Sequence, residues 1–189
     1  MMKIGIAGGI GSGKSYVCQR LQQRGYEVYD CDSAAKRLIR TSPEIHERLT
    51  RLIGPKAYNA DGRLNKAAVS QFLLASADNQ KAINDIVHPA VFRDFEESGL
   101  TWMESAIMYE SGIYRLMDRV IVVTAPLETR IQRVMQRDHL SRKKVLEWIG
   151  RQLPQEEVVS RADFELINDG EADIEQQLNK IIEQCNRPF

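Results

Sequence analysis

The sequence predicts an α/β fold in which helices cover both faces of a five-stranded parallel sheet. Short apolar runs of strand length alternate along the chain with longer segments in which apolar residues recur every three or four positions. This alternation is typical of a parallel sheet, because a crossover between two parallel strands usually contains a helix. With 189 residues, the chain is long enough for one globular domain with a small inserted unit.

The predicted elements follow one another in a regular order. Strand-like segments occur at residues 3–7, 27–30, 103–109, 119–124 and 164–167. Amphipathic helices are predicted at residues 15–24, 66–75 and 172–185. Residues 33–97 form a helical insertion that is longer than a crossover requires, so we expect a substrate-binding unit there. Within it, Pro89 predicts a break or kink at His88, because proline disfavours a helical conformation at the residue before it.

Composition restricts the class of protein. The apolar share of 43% and the charged share of 28% are ordinary for a globular protein with a packed core. Lys plus Arg and Asp plus Glu both number 26, so no overall positive field favours nucleic acid or anionic lipid as a partner. The three cysteines form no Cys-x-x-Cys pair, and the apolar run at residues 4–10 is too short to span a membrane. We expect a cytoplasmic protein with reduced thiols.

The clearest motif is a glycine-rich phosphate-binding loop. Gly8-Gly-Ile-Gly-Ser-Gly-Lys-Ser15 has the P-loop spacing G-x-x-x-x-G-K-[ST], and it lies between a predicted strand and a predicted helix. Glycines allow the backbone amides to surround a triphosphate, while the lysine reaches its β and γ phosphates and the serine hydroxyl binds Mg²⁺. The motif therefore predicts that ATP and Mg²⁺ bind at Gly11, Ser12, Gly13, Lys14 and Ser15, with Lys14 also acting in catalysis.

Two aspartates follow the second predicted strand. The period of two along a strand directs the side chains of Asp30 and Asp32 to one face, at the carboxyl end where such sheets bind ligands. A carboxylate there can accept the proton of an acceptor hydroxyl, and we assign that function to Asp32, with Asp30 as a substrate-binding residue. The alternative is that Asp32 is an ordinary helix N-cap.

Several segments together resemble the bacterial dephospho-coenzyme A kinases. The P-loop is followed by Val28-Tyr-Asp-Cys-Asp32, Ile86-Val-His-Pro89, Gln136-Arg-Asp138 and Arg161-Ala-Asp-Phe-Glu-Leu-Ile-Asn-Asp-Gly170, in the order and spacing of that family. The resemblance implies a P-loop NTPase three-layer fold of the nucleoside-monophosphate-kinase type, with a core at about residues 1–32, 98–136 and 162–189. It further implies a helical substrate insertion at about 33–97 and a lid at about 137–161.

The resemblance also implies a reaction and its residues. ATP would phosphorylate the ribose 3′-hydroxyl of dephospho-coenzyme A, the last step of coenzyme A biosynthesis, with no nucleic acid, membrane or obligate protein partner. Asp32 matches the aspartate at the reacting hydroxyl, and Arg137 matches a catalytic arginine of the lid. Asn168 to Gly170 match a loop beside the adenine, so Asn168 and Gly170 are predicted to bind ATP.

Two further residues are candidates for the acceptor pocket. His88 is predicted to bind substrate on the strength of the resemblance, and a structural histidine at the start of a helix is the alternative. Glu110, at the carboxyl end of the third strand, is also predicted to bind substrate or to contact Mg²⁺ through water, and an ion pair at the core edge is the alternative. The residues before it, Ala106-Ile-Met, stand where the family usually has Pro-Leu-Leu.

Arg133 and Arg137 share a helix face, which suits contacts with phosphate but is also common on solvated surfaces. Among these arginines we favour Arg137, with Arg133, Arg142 and Arg151 as weaker candidates. Two other functions remain open: a kinase for another small acceptor, such as a nucleoside, a nucleoside monophosphate or a sugar acid, and a regulatory P-loop ATPase. The ATPase usually has an aspartate at the end of an apolar strand, whereas the third predicted strand here ends in Tyr109-Glu110.

Overall fold

The computed structural model describes residues 1–76 and 78–185 and confirms the predicted fold class. Five parallel strands form one sheet in the order β2-β3-β1-β4-β5. The strands are β1 (Ile4–Ala7), β2 (Val28–Asp30), β3 (Trp102–Glu104), β4 (Arg119–Thr124) and β5 (Phe164–Ile167). The central strand β1 pairs with β3 on one side and with β4 on the other, and all four of its residues are buried.

Helices fill the connections between the strands. They are α1 (Lys14–Gln23), α2 (Cys31–Thr41), α3 (Pro43–Ile53), α4 (Lys66–Ala75), α5 (Asp78–Ser98), α6 (Leu127–Asp138), α7 (Arg142–Ile149), α8 (Gln155–Ser160) and α9 (Ile174–Cys185), with a 3₁₀ turn at Ile113–Leu116. None of the helices in residues 1–76 and 78–185 combines the length and apolar character needed to cross a bilayer.

The chain divides into two compact units. The first contains Met1–Tyr29 and Leu100–Phe189, and the second contains Asp30–Gly99. The core of the first unit packs apolar residues of β1, β4 and β5 with one face of α1 and one face of α9. This arrangement fixes the loop between β1 and α1, because both flanking elements bury their apolar residues in the same core.

The second unit is helical and has its own core. Ile45 and Leu49 of α3 pack with Ile86 and Ala90 of α5, and partly buried residues of α2 and of the segment after α3 complete the cluster. The hydroxyl of Tyr58 donates a hydrogen bond to the carbonyl of Ile39 at 3.0 Å, which attaches that segment to α2.

Two predictions about these elements are wrong. The third strand ends at Glu104 and does not extend to Tyr109, because the chain turns after Ser105. The side chains of Met108 and Tyr109 are buried, and their apolar character suggested a longer strand. The second error concerns α5, which continues through Pro89 without a break at His88. His88 therefore lies inside a helix and does not cap one that begins at the proline.

Candidate active site

The loop between β1 and α1 has the backbone geometry that its glycines allow. Gly8, Gly11 and Gly13 have φ angles of 144°, 79° and 95°, which disfavour residues with a Cβ atom. Gly13 is the N-cap of α1, and its carbonyl accepts hydrogen bonds from the amides of Tyr16 and Val17. The loop therefore ends at Gly13, and α1 begins at Lys14.

The backbone amides of this loop are available to an anion. The amides of Gly11, Gly13, Lys14 and Ser15 donate to no acceptor within the described residues, whereas the amide of Ser12 donates to the carbonyl of Gly9. The free amides stand at the N-terminus of α1, where the helix dipole also favours negative charge. An anion such as a nucleotide phosphate satisfies these donors.

Lys14 is held beside a carboxylate at the end of β3. Its ammonium lies 3.6 Å from the Oε1 atom of Glu104, and both side chains are largely buried, with exposed fractions of 9% and 15%. Glu104 was not among the predicted site residues, because the third strand was expected to end later. This pair places a carboxylate beside Lys14 at the carboxyl end of β3.

Two arginines of α6 donate hydrogen bonds to backbone carbonyls of the phosphate loop. Arg130 is buried, and its Nε atom donates to the carbonyl of Ile10 at 3.0 Å. Burial lowers the pKa of Arg130. Arg133 donates to the carbonyl of Asn168 at 2.9 Å and to the carbonyl of Ser12 at 3.4 Å. The sequence analysis missed Arg130 and ranked Arg133 below Arg137.

Asn168 joins the end of β5 to the phosphate loop. Its side-chain amide donates to the carbonyl of Ser12 at 2.9 Å, and its backbone amide donates to Thr124 of β4. A Cβ atom on Gly13 would collide with this side-chain amide. Glycine is therefore required at position 13 for two reasons, its backbone angle and the proximity of Asn168.

A cavity of about 400 Å³ lies beside this junction. Its wall includes Gly13, Tyr16, Arg133, Asn168 and Gly170. It brings together two groups that the sequence analysis predicted to bind the same nucleotide, the phosphate loop and the loop that contains Asn168 and Gly170.

Asp30 and Asp32 belong to the second unit and have different environments. Asp30 ends β2 and is the N-cap of α2, where its carboxylate accepts hydrogen bonds from the amide and the hydroxyl of Ser33 at 3.0 and 2.7 Å. Asp32 lies in the first turn of the helix. The expectation that both aspartates share one strand face is therefore wrong, because α2 begins at Cys31. The alternative that Asp32 is the N-cap is also wrong.

His88 lies in the second unit, in the middle of α5. Its half-buried ring stacks with that of Phe92, with 6.3 Å between the ring centroids. Burial lowers the pKa of His88, although the nearby Asp85 carboxylate opposes that shift. The ring is consequently biased toward its neutral form, which can both donate and accept a hydrogen bond.

Glu110 lies in the turn after β3 and not at the end of that strand, which corrects its predicted position. Its Oε1 atom accepts a hydrogen bond from the amide of Leu153 at 3.1 Å. The neighbouring Gln152 accepts from the amide of Ile10 at 2.7 Å and donates to the carbonyl of Ala106 at 3.1 Å. Within the first unit, Gln152 thus links the phosphate loop to the segment after β3, a contact that the sequence analysis did not predict.

Within the described residues, Arg137 forms no hydrogen bond or ion pair with the phosphate loop. It forms a bidentate pair with Asp138, with distances of 2.8 and 2.7 Å, and 61% of its side chain is exposed. The hydrogen bonds that Arg137 donates to the Asp138 carboxylate raise the pKa of Arg137. Arg142 is similarly paired with Glu128.

The donor set suits a cation that is held mainly by a nucleotide. No group of three or more His, Cys, Asp or Glu side chains is arranged to hold a metal ion within the described ranges. Mg²⁺ usually keeps several waters and binds one or two protein groups together with substrate phosphates. Ser15, whose side chain is exposed at the first turn of α1, offers a hydroxyl of the required kind.

Comparison with known proteins agrees with this geometry. The family model described as dephospho-CoA kinase matches residues 2–174. The chain belongs to the dephospho-CoA kinase family. A relative named dephospho-CoA kinase from Bacteroides fragilis (strain YCH46) is 38% identical over 188 residues, which cover 96% of this chain and 91% of the relative.

Solved structures extend the comparison to the fold. A crystal structure of a protein from Thermus thermophilus has a TM-score of 0.85 and 35% identity, and the match covers 99% of this chain and 98% of the other. A dephospho-CoA kinase from Campylobacter jejuni has a TM-score of 0.66 at 21% identity, with 97% and 96% coverage. At that lower identity the likeness concerns the fold alone.

Proposed function

We propose that the protein transfers the γ-phosphoryl group of ATP to the ribose 3′-hydroxyl of dephospho-CoA, which yields CoA and ADP and completes CoA biosynthesis. The observation that carries this proposal is the set of free backbone amides at Gly11, Gly13, Lys14 and Ser15 in a chain of the dephospho-CoA kinase family. The free amides support ATP as the phosphoryl donor, and membership of the family supports dephospho-CoA as the acceptor. We further propose that the reaction takes place in the cytoplasm.

At the donor end, the phosphate loop binds the triphosphate and Lys14 neutralises charge that develops on the β–γ bridging oxygen. These groups are aligned before the reaction, so they stabilise the transition state without reorganisation. Asn168, Gly170 and the cavity beside them hold the adenine. Arg133 keeps the Asn168 loop attached to the phosphate loop through its hydrogen bonds to both.

At the acceptor end, Asp32 accepts a hydrogen bond from the 3′-hydroxyl and takes its proton as the oxygen attacks the γ-phosphorus. A bond forms between the 3′-oxygen and phosphorus, and the bond from phosphorus to the bridging oxygen breaks to release ADP. Asp30, His88 and Glu110 remain proposed acceptor-pocket residues. Asp30 is supported least, because both of its carboxylate oxygens already bond to Ser33.

Ser15 is the proposed protein ligand of Mg²⁺. When bound, Mg²⁺ neutralises charge on the β and γ phosphates. Arg137 is proposed to act on the transferring phosphoryl group after a rearrangement of the lid. In that rearrangement Arg137 would exchange its ion pair with Asp138 for one with a phosphate.

The proposed function is tested by ADP release from Mg-ATP with a panel of acceptors: dephospho-CoA, adenosine, AMP, CMP, gluconate and shikimate. We expect strong turnover with dephospho-CoA alone, and a product phosphorylated on the ribose 3′-oxygen. Lys14→Ala should lower kcat by about a hundredfold to a thousandfold while the protein remains folded, because one transition-state charge contact is lost. Faster turnover of a nucleoside monophosphate, or phosphate released only to water, would overturn the assignment.

A further inference from the structure

The helical unit contains a cavity whose wall is rich in positive charge. Its volume is about 540 Å³, and it is formed by one side of α2 and by the segment that follows α3. Four cationic side chains line it, Lys36, Arg37, Arg40 and Arg63, and none of the lining residues that the structure describes is acidic. Ile39 and Leu64 add apolar surface to the same wall.

The fold holds these cations in place. Lys36 and Arg40 are four residues apart on α2, so they lie one turn from each other on the same side of the helix. Arg63 belongs to a turn whose chain reverses at Gly62, with φ of 75°, and which is attached to α2 by the hydrogen bond from Tyr58 to Ile39. Tyr58 also forms an antiparallel bridge with Leu64. The turn therefore presents Arg63 to the cavity from a second element.

The positive charge is only partly neutralised. Arg37 pairs with Asp94 at 2.5 Å, and Arg63 lies 3.7 Å from a carboxylate oxygen of Asp61. Lys36 and Arg40 have neither an ion pair nor a side-chain hydrogen bond with any residue that the structure describes. Because like charges one turn apart destabilise a helix, an anion bound between them would relieve a repulsion that the fold otherwise retains.

We propose that this cavity binds the 5′-diphosphate of dephospho-CoA and the adjoining part of its pantetheine arm. The inference rests on the proposed function and names the part of the enzyme that recognises the acceptor. Lys36 and Arg40 form charge-assisted hydrogen bonds with the diphosphate oxygens, which are strong for cation–phosphate pairs. Ile39 and Leu64 contact the apolar atoms of the arm.

The position of Asp32 agrees with this assignment. It precedes Lys36 by four residues on α2, which corresponds to about 6 Å along the helix axis. In dephospho-CoA, the 3′-hydroxyl and the 5′-diphosphate are separated by one ribose ring. A single side of α2 thus presents a carboxylate for the hydroxyl and, one and two turns later, cations for the diphosphate.

The test is calorimetric titration of the whole protein with dephospho-CoA in the absence of ATP. Lys36→Ala/Arg40→Ala should raise the Kd of dephospho-CoA about a hundredfold, since each lost charged hydrogen bond weakens binding by about tenfold. Both side chains are exposed, so the double variant should fold like the parent. Arg40→Lys in place of Arg40→Ala should restore part of the affinity, because it restores the charge.

The matched control is Arg48→Ala/Lys81→Ala. It removes the same number of charges from the same unit, but these side chains lie outside the cavity and are paired with Glu44 and Asp85. Its Kd for dephospho-CoA should stay within about twofold of the parent value. Adenosine, which lacks the diphosphate, should bind the cavity variant and the parent with similar affinity, whereas a distorted unit would weaken both ligands.

The inference and the proposed function fail in different ways. If the cavity variant binds dephospho-CoA as tightly as the parent, or no more weakly than the control, the cavity is not the diphosphate site, even when the parent phosphorylates dephospho-CoA. If the parent neither binds nor phosphorylates dephospho-CoA, both proposals are overturned. A selective loss in the cavity variant, with turnover by the parent, supports both.

Discussion

The two aspartates around Cys31 differ in what they contribute to the fold. Asp30 accepts two hydrogen bonds from Ser33 and so satisfies a backbone amide at the start of α2. Asp32 is exposed and has no hydrogen-bond or ion-pair partner within residues 1–76 and 78–185. A carboxylate in the first turn gains only a small stabilisation from the helix dipole. The fold therefore depends on Asp30 more than on Asp32.

This difference leads to a pair of opposite expectations. Asp32→Asn should lower kcat with dephospho-CoA by at least about a hundredfold, because it removes the base that orients the hydroxyl. Its melting temperature should stay close to that of the parent. Asp30→Ala should lose about 1 kcal/mol of folding free energy with its N-cap, which corresponds to roughly 2–4 °C in melting temperature. Steady-state kinetics and thermal unfolding of both variants measure the two effects.

Asp30→Asn is the control, because asparagine also caps helices well and should retain most of the stability. If Asp32→Asn melts several degrees lower and keeps its turnover, Asp32 is a structural residue and another group must orient the acceptor.

At the scale of single residues, the sequence pattern predicted the phosphate loop but not the side chains that form hydrogen bonds with its backbone. Gly11 to Ser15 carry their function in local spacing, which is visible in the sequence. Arg130 and Arg133 act through tertiary contacts with the carbonyls of Ile10 and Ser12. One signal was present for Arg130, which lies next to Ile131 on the buried side of α6 and interrupts the apolar stripe there.

Among the elements, the end of β3 has the largest consequence for function. The strand ends at Glu104, whose carboxylate pairs with Lys14. The strand does not end in Tyr109-Glu110 as predicted, but it still ends in a glutamate and not in the aspartate expected of a regulatory ATPase. Membership of the dephospho-CoA kinase family independently favours a kinase.

The turn after β3 explains why the sequence pattern predicted a strand that is too long. The amide of Ile107 donates to the Ser105 hydroxyl, and the amide of Ser111 donates to the carbonyl of Ile107. These local bonds close a compact turn, and Met108 packs over Gly5 of β1. Burial of side chains in a turn produces an apolar run like that of a strand, and periodicity alone does not separate the two.

The junction of the phosphate loop with β5 is testable through Gly13. Gly13→Ala places a Cβ against the Asn168 side chain and strains a backbone with φ of 95°. We expect the Kd of ATP to rise by more than about tenfold, because about 1–3 kcal/mol of strain distorts the amides that bind phosphate. Equilibrium titration with a fluorescent ATP analogue measures the change.

Gly25→Ala is the matched control for this substitution. Gly25 has a similar φ of 86°, but a Cβ atom there would have no neighbour within 4 Å. Gly25→Ala should therefore lose stability through backbone strain and leave ATP affinity near the parent value. Equal ATP affinity in both variants would show that the contact between Gly13 and Asn168 does not support nucleotide binding.

For the whole molecule, the fold class was predictable because alternating short apolar runs and amphipathic helices extend over nearly the full chain. The cavity of the helical unit was not predictable, because it depends on the turn that presents Arg63 to α2. That turn is attached to α2 by a hydrogen bond between Tyr58 and Ile39, which lie 19 residues apart in sequence. A sequence pattern does not register a contact of this kind.

Nucleotide binding should be visible in the stability of the whole protein. A ligand that binds only the folded state at about 100 times its Kd adds about 2.7 kcal/mol to the free energy of unfolding. For a chain of this size, each kcal/mol raises the melting temperature by about 2–4 °C. Mg-ATP at that concentration should therefore raise the melting temperature by roughly 5–10 °C in differential scanning fluorimetry.

Thermal unfolding with ATP in the presence and absence of Mg²⁺ tests whether Ser15 and the phosphates bind the metal. ATP with EDTA should raise the melting temperature less than Mg-ATP, because the contact that the Ser15 hydroxyl would make with the metal is then absent. Ser15→Ala should show a reduced difference between the two conditions, since it lacks the proposed metal ligand. If the two compact units unfold in separate transitions, ATP should shift the transition of the unit that contains Met1–Tyr29 and Leu100–Phe189, since the phosphate loop belongs to it. Equal shifts with and without Mg²⁺ in the parent would contradict a metal held between Ser15 and the nucleotide.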